Sequence, residues 1–146
     1  MAIYRPPRSP WRARILVALA GLVTGGILVL LFLPEGEPTP EERAATARTE
    51  LIGAEGILEI VAIEYSESVR DGEVVAEAEY EGAVSALARS RDRYEAVRSE
   101  LTPDVAAEID ELYDKVESLL EQRVPITELT KALDSLGRLL TEGDPE

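Results

Sequence analysis

Nineteen consecutive residues, Ile15 to Leu33 (ILVALAGLVTGGILVLLFL), carry no charge. At about 1.5 Å of rise per residue they form a helix of roughly 28 Å, close to the hydrocarbon thickness of a bilayer. Residues 1–14 hold Arg5, Arg8, Arg12 and Arg14 and no acid, whereas all 29 acidic residues follow the apolar run. This asymmetry predicts one transmembrane helix over 15–33, with the N-terminus in the cytoplasm and everything after it outside. Trp11 and the four arginines are expected to anchor the inner membrane surface, where arginines also attract anionic lipid. The rival reading is a cleaved signal peptide. Its apolar core is usually about 7–15 residues and precedes a small-x-small site, but here Leu33-Pro34-Glu35-Gly36-Glu37 follows. Within the span, Gly21, Gly25 and Gly26 form a small-residue face that lets a second helix approach, although glycine is common in membrane helices anyway.

The composition excludes many chemistries. The 146 residues contain no Cys and no His, so disulfides, thiol nucleophiles, iron–sulfur clusters, a Ser-His-Asp triad and the usual zinc and haem ligands are ruled out. A pI near 4.4 argues against a nucleic-acid partner, because phosphate contacts need clustered Lys and Arg. No cofactor is expected.

After a proline- and acid-rich linker over 34–40, four helical stretches follow within 41–142, and 143–146 form a tail. Thr39-Pro40-Glu41-Glu42 reads as a capping-box start. The first helix should run to about Arg70, presenting Leu51, Ile52, Leu58, Val61 and Tyr65 to a core and ending at Asp71-Gly72. A second helix is expected over Ala76 to Leu101, with Tyr80, Val84, Leu87, Tyr94, Val97 and Leu101 in its stripe. A third covers Pro103 to Arg123 (Val105, Ile109, Leu112, Val116, Leu119), with Thr102 as its cap. A fourth covers Thr127 to Thr141 (Leu129, Leu133, Leu136, Leu140). The expected fold is all-α: a single N-terminal transmembrane helix followed by an antiparallel four-helix bundle. Gly53 and Gly56 in the first helix mark either a close helix crossing or a hinge. Tyr65, Tyr80, Tyr94 and Tyr113 read as core or rim residues with solvated hydroxyls.

Glu64, Glu67 and Asp71 are three and four residues apart, and Glu77 and Glu81 lie across the Asp-Gly corner. Oxygen-rich clusters hold hard cations such as Ca²⁺, Mg²⁺ or ferric iron, so these five are the candidate metal ligands. The competing reading is a solvated acidic face. Nothing in the sequence argues for paired carboxylates as acid and base, and the chain is not expected to be an enzyme.

The stretch Ile57 to Glu81, ILEIVAIEYSESVRDGEVVAEAEYE, resembles the extracytoplasmic helical domain that precedes the permease in bacterial high-affinity iron permeases. The matching features are Glu64-Tyr65, Val69, Asp71-Gly72 and Glu79-Tyr80, with a looser likeness at Arg123-Val124-Pro125. The likeness spans about residues 51 to 142. The permease core of that family uses an Arg-Glu-x-x-Glu signature, which these 146 residues lack, so the resemblance implies a helical fold and a docking role without the transport path. The reading from anchor, tether and bundle alone is a non-enzymatic single-pass accessory subunit of a larger bacterial inner-membrane complex, such as a respiratory or photosynthetic reaction-centre–antenna assembly. Its bundle would then be periplasmic. The alternative is an extracytoplasmic iron-handling module working with a separate permease. A third is a docking surface for a basic soluble protein steered by the negative field.

Overall fold

The computed structural model describes residues 38–143; the expected span over 15–33, with Gly21, Gly25 and Gly26, and the anchors Arg5, Arg8, Trp11, Arg12 and Arg14 lie outside them. Among the described residues no helix is long and apolar enough to cross a membrane. Four helices form an antiparallel bundle: α1 (Pro40–Ser68), α2 (Glu77–Glu95), α3 (Pro103–Glu121) and α4 (Ile126–Glu142). A two-residue hairpin, β1 (Val69–Arg70) and β2 (Glu73–Val74), joins α1 to α2.

The start of α1 follows its sequence signature. Glu42 N–H donates to Thr39 Oγ1 (3.2 Å) and Thr39 N–H donates to Glu42 Oε2 (2.8 Å), closing the capping box. Its end differs from expectation. The helix stops at Ser68, and Asp71 (φ 52°) and Gly72 (φ 81°) form the tip of the hairpin. Two successive positive φ angles are what a tight hairpin turn requires, and Asp-Gly supplies them at low steric cost. The dipeptide is therefore a hairpin tip and not a helix cap.

Helix α2 is also shorter than predicted. It ends at Glu95, and a 3₁₀ turn (Arg98–Glu100) leads to an extended Leu101. The kink still buries Val97 and Leu101, so the apolar spacing was kept while the helix was not. Thr102 offers no side-chain cap to α3.

Helix α3 stops two residues early, in a Schellman motif. Arg123 N–H donates to Leu120 O (3.0 Å), Val124 N–H donates to Leu119 O (3.3 Å), and Arg123 has φ 53°. Glycine usually fills this left-handed position, which costs other residues roughly 1–2 kcal/mol. Arg123→Gly is accordingly expected to raise stability by about 1 kcal/mol in urea unfolding. A loss of stability would contradict this reading of the corner.

Small residues line the α1–α2 seam: Ala47, Ala54, Ala83, Ala86 and Ser90 are all buried. A Cβ at Gly53 would fall 2.7 Å from Arg93 Nη1, and one at Gly82 would fall 3.2 Å from Glu64 Oε2. At Gly53 the neighbour is the Arg93 side chain, whose guanidinium lies over the glycine, and not a closely crossing helix backbone. At Gly56 a Cβ would meet nothing within 4 Å, so neither glycine marks the close crossing anticipated from the sequence. Leu51, Leu58 and Val61 of α1 close the core with Ile109 and Val116 of α3 and Leu129, Leu136 and Leu140 of α4. Two residues assigned to the core are on the surface: Ile52 is 56% exposed and Val84 45% exposed.

Candidate functional site

The five carboxylates predicted as metal ligands are not brought together. Because α1 ends at Ser68, Asp71 leaves the helix and stands exposed at the hairpin tip. Glu67 is exposed, whereas Glu64 turns inward against Gly82 of α2. Glu77 and Glu81 are exposed on α2. Among the described residues no group of three or more Asp or Glu side chains is placed to hold a metal ion. The physical reason is the hairpin. Its six residues, Val69 to Val74, take Asp71 off the helical face that carries Glu64 and Glu67 and separate that face from Glu77 and Glu81.

What the fold does assemble is a set of three buried tyrosines, Tyr65, Tyr94 and Tyr113, with Tyr80 half-buried beside them. At the corner end, Tyr65 donates to Val124 O (2.6 Å) and Tyr80 donates to Leu120 O (3.0 Å). Helix C-termini leave carbonyls without intrahelical partners, and here two phenols from α1 and α2 supply donors to the end of α3 and its corner. Halfway along the bundle, Ser90 Oγ lies 2.8 Å from Ala54 O and 2.8 Å from Tyr113 Oη. A carbonyl only accepts, so Ser90 gives its one proton to Ala54, and Tyr113 must donate to Ser90. The Tyr113 ring stacks on Tyr94 with centroids 5.5 Å apart, and the Arg91 guanidinium sits 5.8 Å from the Tyr113 centroid.

At the far end, the Tyr94 hydroxyl lies 2.9 Å from Ala106 O and 2.8 Å from Asp110 Oδ1. Arg98 clamps the same carboxylate through Nε (3.1 Å) and Nη2 (2.6 Å). The Arg98 hydrogen bond holds the Asp110 carboxyl below the usual range, which keeps it an acceptor for Tyr94. Burial raises the phenols of Tyr65 and Tyr94 and pushes Tyr113 up to about 12. The hydroxyls were expected to be solvated. All four are instead bonded to protein atoms, and Tyr65, Tyr94 and Tyr113 are at most 1% exposed. Sequence reasoning placed these rings on the apolar stripes but had no signal for their acceptors, which are backbone carbonyls and residues 12 to 59 positions away.

A cleft of about 190 Å³ opens between α2 and α3. Tyr80, Val84, Leu87, Tyr113 and Leu120 line it, and Arg91 and Glu117 close one side. Arg91 is already paired with Asp114 (2.9 Å), Glu117 (3.4 Å) and Glu95 (3.4 Å). It is an apolar slot with its cation committed, and it brings no nucleophile and base together.

Residues 40–142 match the iron permease-associated 4-helix bundle domain. The chain belongs to this family. The match covers all four helices, from the residue after the Thr39 cap to the last residue of α4. It includes the Glu64-Tyr65, Asp71-Gly72 and Glu79-Tyr80 features on which the sequence likeness rested. No curated protein and no solved structure matches the chain. The iron permease-associated bundle gives no support to a subunit of a respiratory or photosynthetic reaction-centre assembly, and that reading is set aside.

Proposed function

We propose that the chain is an iron-handling accessory module that works beside a separate iron permease. The observation that carries this is the family match across the whole bundle. The match is to the bundle that accompanies the permease and not to the permease itself, so in this reading the transport step belongs to the permease and iron is cargo here. The uncharged run Ile15–Leu33 and the four arginines before it support a single-pass anchor that leaves the bundle on the outer side.

The bundle's own contribution is electrostatic and architectural. Residues 38–143 hold 25 Asp and Glu against 11 Lys and Arg. A net negative surface raises the local concentration of cations without a coordination site, which accords with the dispersed carboxylates. The role is non-enzymatic in this reading, with the tyrosine lattice keeping the bundle rigid. The test is iron uptake into vesicles that contain the permease, with and without this chain. Uptake at low iron should rise several-fold when the chain is present, and the gain should shrink as salt screens the surface. Equal uptake with and without it would refute the proposal.

A further inference from the structure

Helix α1 is apolar on two opposite sides. Ala47, Leu51, Ala54, Leu58, Val61 and Tyr65 face the core, while Ile52 (56% exposed), Ile60 (41%) and Ile63 (51%) stand on the outer side. These three are most of the large apolar side chains exposed among the described residues; Val75 and Val84 are the others. Residues 52, 56 and 60 form one four-residue ridge, with Ile63 on the adjacent row. At the middle of the ridge is Gly56, around which a Cβ would meet nothing within 4 Å. The outer face is thus two isoleucines with an open notch between them and a third isoleucine beside them. Ridges of this spacing pack into the grooves of another helix.

Charge decides the kind of helix. Between Ile52 and Ser68, α1 has four carboxylates (Glu55, Glu59, Glu64 and Glu67) and no Lys or Arg. Glu59 and Glu67 are exposed beside the isoleucines. A second copy would bring the same acids against each other, at about the like-charge penalty known for paired surfaces. We infer that the outer face of α1 is a docking ridge for a helix of another protein, one that carries an aliphatic knob for the Gly56 notch and Lys or Arg on its flanks. The inference stands on the surface of α1 alone and does not use the iron reading.

The test titrates the full chain, in zwitterionic nanodiscs, against two dye-labelled synthetic helices. Both carry leucines at i, i+4 and i+7; one has lysine flanks and the other glutamate flanks. The lysine helix should bind and weaken with salt, and the glutamate helix should not bind. Gly56→Leu fills the notch and should cut lysine-helix affinity on the order of tenfold or more. It does so without harming the fold, because the site is open and leucine favours helix over glycine. Ile60→Glu adds negative charge, so attraction to the surface alone predicts tighter binding, whereas the ridge predicts weaker binding. Undiminished affinity in either variant would overturn the inference. A detergent-solubilised dimer that Gly56→Leu dissociates would also overturn it, by assigning the ridge to a second copy.

Discussion

Tyr113→Ala is expected to cost about 3–5 kcal/mol of folding stability, a large share of the roughly 5–15 kcal/mol typical of a single domain. Three effects combine at this residue. The ring is 0% exposed and fills the interior beside Tyr94, so its removal leaves a cavity. Its hydroxyl is the donor that occupies Ser90 Oγ. The same ring receives Arg91 and lines the α2–α3 cleft. Tyr113→Phe separates these effects, because it keeps the packing and removes only the hydroxyl. It should cost about 1 kcal/mol. Urea unfolding followed by circular dichroism reads both variants. An alanine variant within 1 kcal/mol of the parent chain would show that this ring is not the centre of the core.

The same lattice should make the bundle sensitive to alkali. Burial pushes the phenol of Tyr113 up to about 12, above the ordinary range for tyrosine, and raises those of Tyr65 and Tyr94 in the same direction. A group with a raised folded-state pKa contributes its full stability below the unfolded-state value and loses that contribution as pH climbs through the folded-state value. Little should change up to about pH 10, and stability should then fall steeply towards about pH 12. For Tyr113, a shift of this size corresponds to roughly 3 kcal/mol. With Tyr65 and Tyr94 acting in the same window, the bundle should unfold cooperatively, and phenolate absorbance should appear together with loss of helical signal. Tyr113→Phe should reduce the steepness of that loss. Phenolate absorbance rising gradually while the helical signal persists would mean that the tyrosines are reached by solvent in the folded state.

Some of this architecture could be read directly from residues. Thr39-Pro40-Glu41-Glu42 is a local signal, and the capping box closes as its spacing requires. The stripe Ile109, Val116 and Leu119 and the stripe Leu129, Leu133, Leu136 and Leu140 are periodic over whole helices and are buried as expected. The failures were at positions where a local cue has two structural uses. Asp-Gly ends a helix or turns a hairpin, and the choice depends on whether Val69–Arg70 can pair with Glu73–Val74, which no local pattern states. Arg123 gave no cue at all, since a left-handed arginine is held there by the Schellman bonds and not by preference.

The candidate site was harder to read than the fold, for the same reason. The spacing from Glu67 to Asp71 is a property of an uninterrupted helix, and once α1 ends at Ser68 that step has no geometric meaning. The tyrosine partners lie far along the chain and are mostly backbone carbonyls, to which sequence pattern is blind. Ile52 faces outward although its spacing suits the core, because a helix with apolar residues on two sides offers more than one stripe.

The bundle is proposed to serve an iron permease. Mild-detergent purification of the full chain from its native membranes, with mass spectrometry of the intact assembly, tests it most directly. The expected result is an iron permease bearing the Arg-Glu-x-x-Glu signature in defined stoichiometry with the bundle. Recovery of the chain with respiratory or photosynthetic subunits, or with no membrane partner, would contradict it.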